Sequence, residues 1–223
     1  MSIPRLEATL KLVGLCGHKG LALDIGCGNN AKLLHKLVKN YVGLDIDLAT
    51  LKRQGVDVVC ASGAKIPFRN QTFELVLCTE TLEHFQKPDR TISEITRVLI
   101  TGGFAVVSVP SLSLPQMLTL WIAYKLGKLS AKPFQSTQHQ REYTKLNISP
   151  HFETVKNLFK MFEEHHLHIR EVSTVLPLYT RLKIYHILAK LEPLLGRLFS
   201  KMQIGHYTVF RAENLKPQKC MQS

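Results

Sequence analysis

The sequence predicts a doubly wound α/β fold: one domain with a mainly parallel sheet covered by helices. Three observations carry this. Short apolar runs alternate with segments of helical periodicity along most of the chain. A length of 223 residues, 45% hydrophobic and 21% charged, suits one complete α/β core of ordinary globular composition. A glycine bend follows the first apolar run, and an acidic residue lies in the second.

The elements follow in order. Leu6 to Cys16 reads as an amphipathic helix, and Leu21 to Ile25 as a short buried strand. The bend Gly26-Cys27-Gly28 leads into a helical run over 31–38. Tyr41 to Ile46 is the second strand, 48–54 a short helix, and Val56 to Cys60 the third strand. Phe73 to Cys78 is the fourth strand. Pro88 to Leu99 is a helix that carries Pro in its first turn, where a missing N–H costs nothing. Gly102-Gly103 marks a turn, Phe104 to Val109 is the fifth strand, and Pro110 ends it.

Residues 111–149 break the rhythm. The stretch 114–126 is apolar and helix-like around Trp121 and Tyr124, and 130–141 is polar and loop-like. A long connection after a strand suits a lid over the site, so a helical insertion is expected here. Phe152 to His165 is helical, Ile169 to Val175 a strand, 179–199 helical with an interruption at Pro193, and His206 to Arg211 the last strand. The domain is expected to run over 1–215, with 216–223 a frayed tail.

Composition narrows the setting. The 29 Lys and Arg outnumber 17 Asp and Glu, a formal net charge of +12. That favours acidic partners, such as nucleic acid, an anionic membrane surface or an acidic metabolite, without selecting among them. Five cysteines form no C-x-x-C pair, which argues against a zinc ribbon or a disulfide scaffold and fits a reducing cytoplasmic setting. The first residues lack an apolar signal region, and no run of about 18 apolar residues predicts a membrane-spanning helix.

Asp24-Ile25-Gly26-Cys27-Gly28 ends the first strand and opens a helix, and Asp45 lies near the end of the second strand. Glycines let a backbone approach a ligand closely, and a carboxylate at the second strand's end suits a ribose diol. Together they describe an adenosine site. Nicotinamide dinucleotide enzymes share this spacing. Asp24 favours S-adenosylmethionine, because its carboxylate would attract a methionine ammonium and repel a pyrophosphate. A helix-capping or turn role is the structural alternative for Asp24.

These residues, with Ile66-Pro67-Phe68, Phe73-Glu74-Leu75-Val76, Leu82-Glu83-His84 and Arg97-Val98-Leu99 before Gly102-Gly103, occur in an order that resembles class I methyltransferases. The likeness is to the broad type 11 group, which includes ubiquinone and menaquinone methyltransferases, and it covers roughly 19–110. It implies a Rossmann-like, seven-stranded sheet with one reversed strand, and S-adenosylmethionine as donor. By that resemblance Asp24, Gly26, Cys27 and Gly28 surround the methionine part, Asp45 holds the ribose and Ile46 packs on adenine. Thr79 and Glu80 close the cofactor site. Ser62, beside Gly63, stands where the family usually places an Asp that reads the adenine amino group. A hydroxyl still accepts a hydrogen bond but loses the charge-assisted part.

Methyl transfer from a sulfonium needs alignment and exclusion of water, and a hydroxyl acceptor also benefits from a base. His84 is the base candidate, with His139 from the insertion as a second. If 80–84 is helical, Glu80, Glu83 and His84 share one face, and with His139 they make an alternative metal site that resembles some 2′-O-methyltransferases. Helix capping with a hydrogen-bonded histidine is the third reading. His165, His166 and His168 suit a helix end better than a metal.

The acceptor region combines 111–149 with the segment after Leu176. Its apolar residues, with Arg181, Lys183, Lys190 and Arg197, suit a basic-faced core helix or an amphipathic helix touching a membrane surface. The expected activity is methyl transfer to a small or lipid-like molecule at oxygen. The alternatives are a catalytically silent S-adenosylmethionine-binding partner subunit and an RNA methyltransferase.

Overall fold

The computed structural model describes residues 3–52, 55–110, 155–175 and 207–215. The chain runs α1 (Ile3–Cys16), β1 (Ala22–Ile25), α2 (Ala31–Leu37), β2 (Tyr41–Asp45), α3 (Leu48–Leu51), β3 (Val58–Cys60) and β4 (Phe73–Thr79). It continues through α4 (Pro88–Val98), β5 (Leu99–Pro110), α5 (Val155–Glu164), β6 (Leu167–Val175) and β7 (Tyr207–Asn214). One sheet of seven strands has the order β3-β2-β1-β4-β5-β7-β6. Neighbours from β3 to β5 are parallel, and β7 is antiparallel to both β5 and β6. A single strand, β7, is therefore reversed, as the family resemblance implies.

Period-two alternation sorts the core into two layers. Leu23, Ile25, Leu44, Val76, Cys78, Ala105 and Val107 face α4 and α5, where Ile92, Ile95, Val98, Leu158 and Phe162 complete the packing. Ala22, Tyr41, Leu75, Leu77, Val106 and Val209 face α1, α2 and α3 through Leu12, Val13, Ala31, Leu34 and Leu51. Helices thus cover both faces. β1 lies between β2 and β4, and all four of its residues are buried, which is why it reads as an uninterrupted apolar run around Asp24.

Several boundaries differ from the sequence expectations. β6 starts at Leu167 and β7 ends at Asn214, because both strands pair along their whole length with polar residues interspersed. Gly102-Gly103 lies inside β5, not before it. Gly102 takes φ +80, and the pairing with β4 shifts register between Phe73 and Leu75. β3 is shorter than expected and begins at Val58. The expected insertion at 111–149, the helix over 179–199 and the tail at 216–223 lie outside the described residues. No helix among the described residues is long and apolar enough to cross a membrane.

The sheet order creates a switch point. From β1 the chain proceeds outward to β2 and β3, and from β4 it proceeds the other way to β5. Loops leaving the carboxyl ends of β1 and β4 diverge, which opens a crevice of the kind that receives ligands in such sheets.

Candidate functional site

The bend after β1 lies at this crevice. Gly26 takes φ +71 and Gly28 φ +45, conformations that cost a side-chain-bearing residue strain. A Cβ on Gly26 would collide with the Thr81 side chain, so this glycine also allows the turns after β1 and β4 to touch. A Cβ on Gly28 would meet only Asp45 Oδ2, at 3.8 Å, which leaves space beside the bend.

Asp45 joins two loops. Its Oδ2 accepts a hydrogen bond from the Gly28 N–H (2.9 Å), and Oδ1 accepts one from the Asp47 N–H (3.0 Å). Each carboxylate oxygen has a further lone pair available to a ligand. Ile46 follows with its side chain 59% exposed, an apolar surface at the tip of a strand. Asp47 caps α3 by accepting from the Ala49 N–H, so the Asp45 and Asp47 carboxylates fix the turn after β2.

Asp24 is buried, 1% exposed. The Tyr41 hydroxyl donates to its Oδ2 (2.7 Å), and its Oδ1 is buried without a hydrogen-bond partner among the described residues. Burial pushes the Asp24 carboxyl up to about 7. The Tyr41 hydrogen bond opposes this, and the Asp45 charge adds to it. Cys27 is buried beside the bend, and burial raises its thiol well above the usual range, so it stays neutral.

Ser62 is part of a turn: its Oγ accepts from the Ala64 N–H (3.2 Å), while its carbonyl accepts from the Lys65 N–H (3.0 Å). Gly63 lets that turn pack against Ile25 and the Phe85 ring, either of which a Cβ would meet at 2.7 Å. After β4, Thr79 and Glu80 are half-buried. The Glu80 N–H donates to the backbone oxygen and to Oγ of Ser108, both at 3.1 Å.

The helical face expected for Glu80, Glu83 and His84 does not form. Glu80 takes φ +53, which no right-handed helix accommodates, and only Leu82–His84 closes into a 3-10 turn. Glu83 is buried there and His84 is half-buried. Among the described residues no three of His, Cys, Asp and Glu are grouped to hold a metal ion. His139 lies outside the described residues. Sequence reasoning missed Tyr41 as the partner of Asp24 and Thr81 as the contact of Gly26. Thr81 adjoins the Glu80 motif, but nothing local marks Tyr41.

This geometry coincides with a known domain. Residues 23–107 match the type 11 family model, described as a methyltransferase domain. The matched segment is a class I methyltransferase domain. The donor of this family is S-adenosylmethionine. Among relatives of this chain, an uncharacterised protein of Methanocaldococcus jannaschii is 39% identical over 93 residues, 40% of each chain. A probable tRNA methyltransferase 9B of Mus musculus is 27% identical over 138 residues, 55% of this chain and 30% of the relative. A phthiotriol/phenolphthiotriol dimycocerosates methyltransferase of Mycobacterium ulcerans is 30% identical over 101 residues, 41% and 37% of the respective chains. The chain therefore spans less than half the length of these relatives. In structure it resembles an S-adenosylmethionine-dependent methyltransferase of Mesorhizobium loti, with a TM-score of 0.59 at 14% identity, over 91% of this chain and 95% of that one. That likeness supports the shared fold.

The residues fit the donor of the family. The buried Asp24 Oδ1 lacks a partner among the described residues, the bend is open beside Gly28, and Ile46 is exposed next to Asp45.

Proposed function

We propose that this chain transfers a methyl group from S-adenosylmethionine to an oxygen of a small or lipid-like acceptor. The observation that carries the reading is Asp45, held by the Gly28 and Asp47 N–H groups beside the exposed Ile46 at the switch point of the sheet. Bound there, S-adenosylmethionine supplies a methyl group already activated by the sulfonium charge.

The chain's own groups divide the remaining work. Asp45 offers its remaining lone pairs to a ribose diol, and Ile46 offers an apolar face to adenine. Asp24 places negative charge next to the bend for the donor's ammonium group. Gly26 and Gly28 let the backbone lie close to the ligand. The turn at Thr79 and Glu80, fixed on Ser108, borders the side from which an acceptor enters. His84 receives the proton of a hydroxyl acceptor. Its ring is half-buried beside the turn at Thr79 and Glu80, and its Nδ1 is buried. The dimycocerosate-modifying relative supports a lipid-like acceptor.

The test pairs calorimetric titration of the donor with label transfer into small-molecule and lipid fractions. Binding with a labelled acceptor is expected, and His84→Ala is expected to lower turnover about 100-fold or more while donor affinity is kept. Unchanged turnover in that variant would remove His84 as the base. An RNA acceptor is the second reading, supported by the net charge of +12 and by the relative named for tRNA. RNA binding that weakens steeply with salt, with label entering RNA, would favour it over the lipid-like reading. Donor binding with no transfer to any fraction would point to a silent partner subunit, a role consistent with the Ser62 hydroxyl being engaged in its own turn.

A further inference from the structure

Asp24 is the buried acid of the site, and its surroundings are unusual for a carboxylate. Tyr41 on β2 donates to Oδ2 at 2.7 Å. Cys27 in the bend adds a neutral thiol, because burial keeps its proton on. Cys78 on β4 lies within electrostatic reach, and burial keeps it neutral as well. The charged group that acts on Asp24 is Asp45, an anion. His35 on α2 packs edge-on against the Tyr41 ring, with centroids 6.0 Å apart. Among the described residues, then, the favourable partner of this carboxylate is one hydroxyl, and Oδ1 has none.

A buried anion with a single neutral donor lacks a counter-charge. The ammonium of an amino-acid ligand supplies one, directly or across one water. We propose that Tyr41 is a positioning residue for donor binding, whose hydroxyl contact with Asp24 Oδ2 favours the anionic form of the buried carboxylate, the form that attracts the donor's ammonium. This rests on the assignment of the strand tips as the S-adenosylmethionine site.

A proton linkage follows. In the free protein the Asp24 proton is held up to about pH 7 by burial. An ammonium nearby stabilises the carboxylate, so binding below that pH releases a proton, and affinity rises with pH until Asp24 is ionised beforehand. Tyr41→Phe retains the ring packing and removes the hydrogen bond that favours the anion. The rise then moves to higher pH.

The experiment titrates the full chain with S-adenosylhomocysteine, which carries the same ammonium, from pH 5.5 to 8.5 in two buffers of different ionisation enthalpy. The unmodified chain is expected to bind severalfold tighter per pH unit up to about 7 and to release a proton below it. Tyr41→Phe is expected to shift that profile upward by about one pH unit. This makes it roughly fivefold or more weaker at pH 6.5 while it approaches the unmodified chain at pH 8.5. Asp24→Asn is expected to bind weakly with a flat profile. A Tyr41→Phe profile that superimposes on the unmodified one overturns the proposal, as does an equal loss at every pH, which marks a packing role. pH-independent binding by the unmodified chain overturns it while leaving the site assignment intact. No binding by the unmodified chain overturns the site assignment and the proposal with it.

Discussion

Asp45 and Gly26 carry the sharpest expectations for single residues. Replacing Asp45 with Ala removes the acceptor of the Gly28 and Asp47 N–H groups as well as the proposed ribose contact. Donor affinity is expected to fall more than tenfold, about 1.4 kcal/mol, by calorimetry; near-native affinity would refute the ribose role. Gly26→Ala meets both the left-handed backbone and the Thr81 side chain. It is expected to cost about 1–3 kcal/mol in denaturant unfolding, and Thr81→Gly in the same chain to restore part of that. The glycines and Asp45 are legible in the sequence because they sit a few residues from the strand ends they serve. Tyr41 is not legible. It is 17 residues from Asp24, and their contact depends on the parallel register that pairs Ala22 with Tyr41 and Asp24 with Gly43. Ser62 is half legible: its hydroxyl does accept a hydrogen bond, but from its own turn.

At the scale of elements, one side chain ties the loop after β3 to α4. Arg97 donates to Glu94 at both carboxylate oxygens (2.6 and 2.9 Å) and to the Ile66 and Phe68 carbonyls (2.8 Å each), while Glu94 accepts from the Ile66 N–H. Arg97→Ala is expected to speed hydrogen exchange across 61–70 more than across β4; uniform change would argue for global destabilisation instead. On the other face of α4, Phe162 of α5 is fully buried and meets Phe210 edge to face. Phe162→Ala is expected to cost about 3–5 kcal/mol in denaturant unfolding. Strand identities were readable from apolar runs, since the inner strands are covered on both faces. The turn at 80–84 was not, because its conformation is set by Ser108 from β5, a partner 28 residues away.

For the whole molecule, stability depends on pH through acids of opposite sign, Asp24 and Glu94 among the described residues. Asp24 is held above its ordinary range, so the native state keeps a proton that the unfolded chain releases; its contribution is full below about pH 4 and is lost as pH rises through about 7. Glu94 is held below its range by Arg97, so its contribution is present above the ordinary carboxylate range and is lost as pH falls. Tm of the ligand-free chain is expected to decline on both sides of a mildly acidic maximum, and Asp24→Asn to flatten the decline towards neutral pH. A decline of the same size in that variant would place its cause elsewhere. The doubly wound class was legible because the alternation of elements persists from α1 to β5. The reversed strand followed from family resemblance, since periodicity carries no strand direction.

The position of β7 has a consequence for biogenesis. It is the last described strand in sequence, yet it lies between β5 and β6 and brings Phe210 against both Phe159 and Phe162. Its Asn214 amide donates to the carbonyls of Thr96, Leu99 and Ile100. A nascent chain therefore lacks the strand that joins β5 to β6 until residues 207–214 are released. Premature termination upstream of that strand would leave both edges bare and hand the truncated product to chaperones and proteases, however well the donor site has been encoded.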